Sequence, residues 1–181
     1  LILHEYETTH LQQQPSWKDL KVETPQALEA LIQIVARTEG PVHTDQVIDS
    51  IRISYGLGSV RTTTRQKVLD IISAAKNKKL VLGDGDFIWS DVDQFDRNPR
   101  DTPPSGKIEH IHPVELGHLI VSKVKELLSI RREALVTEIA RSLEFQKNGS
   151  TIRKVLTKTI QKLIDDGQLE EDSSGNLHLP R

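Results

Sequence analysis

The chain has no cysteine among its 181 residues. That excludes disulfides, cysteine nucleophiles, thiolate zinc sites and iron–sulfur ligation together, and it fits a reducing, cytoplasmic setting. Aromatic residues make up only 4%, so any core must be aliphatic. No apolar run approaches the roughly 18 residues that a membrane span needs. Methionine is absent too, and the chain opens at Leu1 with no charged-then-apolar signal sequence. The expectation is a piece of a longer protein, whose chemistry lies elsewhere. Neither sign of charge is in excess: 24 Lys and Arg against 26 Asp and Glu, net -2. A near-neutral chain does not attract nucleic acid or anionic lipid over its whole surface, so binding to either must come from a local patch. What is present, 36% hydrophobic and 28% charged residues, is a globular composition, and the length fits one or two domains.

A duplication organises the chain. Shifted against itself by 88 residues, Pro25–Lys79 aligns with Pro113–Gly167 without a gap. Apolar identities include Leu28/Leu116, Ile32/Ile120, Ile51/Ile139 and Ile72/Ile160. Two copies of one core require such matches. The polar identities Ser54/Ser142 and Arg65/Arg153 argue against chance overlap of helical patterns.

Each copy reads helix, helix, helix, hairpin. In the first, Thr24 caps a helix opened by Pro25, with Leu28, Leu31, Ile32 and Val35 on one face. Gly40-Pro41 ends it. Thr44 or Asp45 caps a second helix bearing Val47, Ile48 and Ile51. A third, about Val60 to Lys78, places Val68, Leu69, Ile72 and Ala75 on one side. Leu80-Val81-Leu82, Gly83 to Asp86 and Phe87-Ile88-Trp89 read as strand, turn, strand. In the second copy the helices start at Pro113, Glu133 and Ser150 or Thr151. The third stops at Asp166-Gly167, and a hairpin spans Leu169 to Leu179.

The predicted fold class is therefore mainly α with small β-hairpins: tandem winged-helix-like repeats, the helix-turn-helix plus a wing. The expected organisation is a lead-in or tail of a preceding domain over residues 1–23 and a first repeat over 24–92. A Pro-rich linker over 93–111 and a second repeat over 112–181 follow.

Several segments resemble a known family pattern: Glu39-Gly40-Pro41-Val42-His43, Gly56-Leu57, Phe87-Ile88-Trp89, Arg97-Asn98-Pro99-Arg100-Asp101 and Ile111 to Leu116. Together they resemble the C-terminal domain of unknown function carried by large bacterial superfamily I helicase-like proteins, where it follows a motor and a restriction-endonuclease-like domain. The resemblance covers about Pro25 to Pro180. It implies a role in DNA processing, defence against foreign DNA included, and assigns no catalytic residue. The chain has no Gly-Lys-Thr phosphate loop and no nuclease carboxylate motif.

The candidate binding residues lie on the third helices, which enter the major groove in winged helices. In the second copy Lys154, Lys158 and Lys162 recur every four residues opposite Val155, Leu156 and Ile160, with Lys147 and Asn148 just before and Arg153 beside them. Phosphate binding needs such clustered cations; an ordinary solvated helix face has the same pattern. The first copy offers Arg61, Thr62, Thr63, Arg65 and Gln66, types that hold phosphates or read base edges. Arg65 and Arg153 share a helical phase with the core, so a structural ion pair is the competing reading. Both wings are acidic, with Asp84 and Asp86 in the first and Glu170, Glu171 and Asp172 in the second. Residues 25–92 carry 8 basic and 8 acidic side chains, and residues 112–181 carry 11 and 10.

His110 and His112, with Glu109, Glu115 and His118 nearby, match no metal-site spacing, so no metal or other cofactor is expected. His43 reads as packing at a helix entry, and Trp17 and Trp89 as core or domain-contact anchors. No catalytic constellation stands out, so the fragment is not expected to be an enzyme. The expected function is a non-catalytic accessory domain of a helicase/nuclease-type protein that contacts DNA phosphates through both third helices. The expected partners are DNA and the rest of the parent chain, with no membrane. The alternative is a scaffold module that docks on the parent motor or a partner without binding DNA.

Overall fold

A computed structural model describes residues 2–95, 99–146 and 149–181. The chain is mainly helical, with two small antiparallel sheets, and it divides into two compact units. The first unit is Glu7–Asp96; the second is Leu1–Tyr6 with Arg97–Arg181.

The first unit runs α1 (Pro25–Glu39), β1 (Val42–His43), α2 (Thr44–Ser54), α3 (Thr62–Asn77), β2 (Leu82–Asp84) and β3 (Phe87–Trp89). The second runs α4 (Pro113–Leu127), β4 (Ile130–Arg131), α5 (Arg132–Ser142), α6 (Ser150–Asp165), β5 (Glu170–Glu171) and β6 (Asn176–His178). All three helices and the first strand of one unit recur in the other displaced by 88 residues. The internal repeat legible in the sequence is thus also a repeat of element order.

Each unit departs from the expected pattern by one inserted element, and in the first unit the strand expected at Leu80-Val81-Leu82 instead spans Leu82–Asp84, taking in Gly83 and Asp84 that read as turn because they pair with Ile88 and Phe87. Between its first two helices each unit inserts a two-residue strand, which pairs with the last strand to give the sheet orders β1-β3-β2 and β4-β6-β5. Val42 lies opposite Ile88 and Ile130 opposite Leu177. Two residues are too few to show the alternation by which strands are recognised. The central strand joins both neighbours, and its inward residues Ile88 and Leu177 are fully buried.

The cores are aliphatic. Leu28, Ile32, Ile51, Val68 and Ile72 pack in the first unit; Leu116, Ile120, Ile139, Leu156 and Ile160 pack in the second. Thr24 caps α1 as expected, accepting the Ala27 N–H at 3.3 Å. The other expected caps shift. The cap of α2 is His43, whose Nδ1 accepts the Asp45 N–H at 3.0 Å, and α6 starts after Gly149 with no side-chain cap. An imidazole nitrogen two residues upstream does the work usually given to Ser, Thr or Asp. Trp17, expected as an anchor, is 79% exposed, whereas Trp89 packs edge-on against Phe95 with ring centroids 4.7 Å apart.

The residues before the first repeat belong to both units. Leu20 is buried in the first core, and the Lys67 ammonium of α3 donates to the carbonyls of Leu20, Lys21 and Glu23 at 3.3, 3.0 and 2.7 Å. Tyr55 donates its hydroxyl to Glu23 at 2.7 Å. At the other end, His4 exchanges backbone bonds with Pro99 and Asp101 in the second unit, and the Arg100 guanidinium lies 4.6 Å from the centre of the Tyr6 ring. Arg100 also grips both carboxylate oxygens of Glu115, at 2.7 and 2.9 Å. The expected linker contributes to the packing as well. Ile108 and Ile111 are buried in the second core.

Gln94 closes the end of α1. Its Nε2 donates to the carbonyls of Ala36 and Arg37 at 3.0 and 3.1 Å, and its Oε1 accepts from Ser90 and Asp91 at 2.7 and 3.1 Å. The last carbonyls of a helix have no partner within it, and here the buried amide supplies one for Arg37 and adds a second to the Gly40 N–H already on Ala36. A Cβ on Gly40 would lie 2.4 Å from the Ala36 carbonyl oxygen and 2.6 Å from Gln94 Oε1, so only glycine fits.

Two predictions follow from this packing. Gln94→Ala leaves the Arg37 carbonyl and the Ser90 and Asp91 N–H groups without this partner, while the Ala36 carbonyl keeps the Gly40 N–H, and is expected to destabilise the first unit by about 1–3 kcal/mol, read by urea denaturation. Glu23 is held below the usual carboxylate range, first by the Tyr55 hydroxyl and then by the Thr24 N–H. A carboxylate whose pKa is lowered on folding contributes stability above its unfolded value that is lost as pH falls through the folded one. Thermal unfolding scans below about pH 4.5 are therefore expected to show a shallower acid decline in Glu23→Gln than in the parent chain.

Candidate nucleic-acid interface

Helix α6 buries Leu156, Ile160 and Leu163 and turns its opposite face to solvent. Because an α-helix repeats every 3.6 residues, Lys154, Lys158 and Lys162 fall on that outer face, one above the next. All three are exposed. They line one wall of an open, shallow groove with Arg153, Thr157 and Gln161; Arg132, at the start of α5, also lines it. Five cations from two helices thus surround one depression, with Asp165 as the one acid among its lining residues.

The cations differ in how freely they can meet an anion. Arg132 is committed: it donates to Glu171 of β5 at 2.7 Å and to Gln161 Oε1 at 3.0 Å. Gln161 in turn donates to Asp165 at 2.9 Å. Lys162 pairs with Asp166 at 2.8 Å, and that carboxylate holds its ammonium above the ordinary lysine value. Arg153, Lys154 and Lys158 have no ion-pair partner among the described residues. Lys147 and Asn148, also expected to bind, lie outside the described residues.

The first unit treats its third helix differently. Arg61, Thr62 and Thr63 are exposed at the start of α3. Arg65 is paired with Asp45 of α2. Gln66 donates to Asp70 at 2.9 Å. Lys67 is spent on backbone carbonyls, and Lys78 pairs with Glu29 of α1 at 2.5 Å. Arg65 thus forms a structural ion pair in this copy, whereas its counterpart Arg153 stays exposed to solvent. The equivalent acid, Glu133, is exposed and forms no ion pair with Arg153 among the described residues.

The sequence reading named the lysine stripe and missed Arg132, Thr157 and Gln161. The Arg131-Arg132 doublet was the available signal. It gave no hint that α5 would start against α6, because the strand that sets that start is only two residues long. Two of the histidines make local contacts. His112 caps α4, its Nδ1 accepting the Val114 N–H at 3.1 Å, and His110 is buried with its Nδ1 2.8 Å from Ser105 Oγ.

The contrast between copies is measurable. A double-mutant cycle on Asp45 and Arg65 is expected to give a coupling of about 0.2–1 kcal/mol, the range for partly exposed pairs. The same cycle on Glu133 and Arg153 is expected to give none.

No protein-family model, curated protein or solved structure matches this chain. Its geometry and charge carry the functional reading.

Proposed function

We propose that the chain is a non-catalytic nucleic-acid-contacting module of a helicase-like DNA-processing protein, built of two winged-helix-like repeats. The element order supports the winged-helix part: helix, strand, helix, helix, then two strands, with the first strand beside the last. The helicase association draws on the family resemblance of the sequence. The observation that carries the binding reading is the convergence of Arg132, Arg153, Lys154, Lys158 and Lys162 on one open groove. Clustered cations release counterions from a phosphate backbone, and that release drives affinity without reading sequence.

The affinity expected of such a patch is in the non-specific range, about 1–100 μM at physiological salt. Fluorescence anisotropy of labelled DNA, titrated with the chain at low and physiological salt, tests this. Binding should weaken with salt. Lys154→Glu with Lys158→Glu should weaken it roughly tenfold or more and flatten the dependence of log affinity on log salt by about two units. Failure to bind any DNA at low salt would sink this reading. It would favour the second one, docking on another protein, for which the first unit offers the exposed apolar side chains Trp17, Val22 and Ile53.

A further inference from the structure

The two repeats share a fold but not a surface. At the five positions that supply cations to the groove, Arg132, Arg153, Lys154, Lys158 and Lys162, the first repeat has Thr44, Arg65, Gln66, Asp70 and Ala74, each 88 residues earlier. The formal charge over those positions is +5 in the second repeat and zero in the first. Thr44 is buried where Arg132 lines the groove. The one cation in the first set, Arg65, is held by Asp45, and the one acid, Asp70, accepts a bond from Gln66. The equivalent positions of α3 therefore carry no net charge, and Arg61 at the start of the helix is the exposed cation outside this set.

The groove also selects among nucleic acids. Its lining is Arg, Lys, Thr, Gln and Asp, with no aromatic side chain. Single strands are bound on aromatic faces over which their bases stack, and this surface has none. Instead it offers cations at fixed intervals, Lys154, Lys158 and Lys162 rising about 6 Å apiece along a helix, with Arg132 on a second helix. A rigid cation row suits a backbone whose phosphates are already held in place by base pairing.

We infer that the repeats have divided their labour: the α5–α6 groove of the second unit alone engages nucleic acid, by the phosphate backbone of a duplex, and α3 of the first unit takes no part. This rests on the nucleic-acid reading above.

The test compares two surface variants of the full chain, with a labelled short DNA duplex and with one of its strands alone as probes. The first variant is Lys154→Glu with Lys158→Glu. The second is Arg61→Glu with Thr63→Glu, which puts acids on the exposed start of α3, where the helix dipole tolerates them. The expected result is a duplex bound more tightly than the strand, a loss of roughly tenfold or more in the first variant, and a change of less than about twofold in the second. If the second variant loses as much as the first, both repeats bind and the division of labour is wrong. If the single strand binds more tightly than the duplex, the choice of a duplex is wrong. If the parent chain binds neither probe at low salt, the functional reading itself fails and this one with it. Lys154→Gln with Lys158→Gln, which removes charge without adding any, replaces the first variant if circular dichroism shows that its fold is lost; it is then expected to weaken duplex binding less steeply, and an unchanged affinity would overturn the inference.

Discussion

Everything in each unit hangs on the pairing of a two-residue strand with the last strand of the hairpin. With so few aromatic rings, no single large side chain can plug the open end of three short helices. The closure comes instead from Ile88 and Leu177, fully buried at the middle of their sheets and flanked on both sides. The strand is also the link between the first and second helices, so this pairing sets where the second helix begins. In the first unit that start is fixed further by His43, at once a strand residue, the cap of α2 and an edge-on neighbour of Phe87. In the second unit the equivalent residue is Arg131, which provides no cap.

Once the third helix is seated by its apolar stripe, its outer face is determined. Residues 154, 158 and 162 must point away from Leu156 and Ile160, whatever their type. The fold therefore decides where a side chain is displayed, and the amino acid there decides what is displayed. The first repeat uses its polar residues to hold itself together, tying down the segment before α1 through Lys67 and α2 through Arg65. The second leaves Arg153, Lys154 and Lys158 to solvent. Identical positions in the two copies, such as Arg65 and Arg153, thus carry different duties because the acid opposite one of them is engaged and the acid opposite the other is not.

The helices and the repeat were legible because each is written over ten or more residues with a clear apolar period, and the hairpins were located by their glycine-bearing turns although their strand bounds shifted. The short strands were not: Val42-His43 and Ile130-Arg131 have no period to read. The attachment of the leading residues was hidden for another reason. Glu23–Tyr55, Lys67–Leu20 and His4–Pro99 are contacts between distant positions, and neither partner signals the other in sequence. The same holds for Gln94, whose polar side chain in a Pro-rich, charged stretch reads as surface although it is buried against α1. For the candidate groove the lysine stripe was visible as a period, while Arg132 joined it only through the packing of α5 on α6.

The near-zero charge of each repeat does not weigh against the groove, because a charge count ignores place. Half of the ten acids of the second repeat lie at the hairpin and the end of α6. Two of them, Glu171 and Asp166, are the partners of Arg132 and Lys162. An arriving phosphate must displace these carboxylates or share their cations. Exposed pairs are worth at most about 1 kcal/mol each, so the exchange is cheap. Release of counterions from a duplex offsets that cost at low salt and does so less as salt rises. The internal acids therefore make the proposed contact weak and salt-sensitive without abolishing it. Such behaviour suits a surface that holds a duplex beside other machinery and lets it slide.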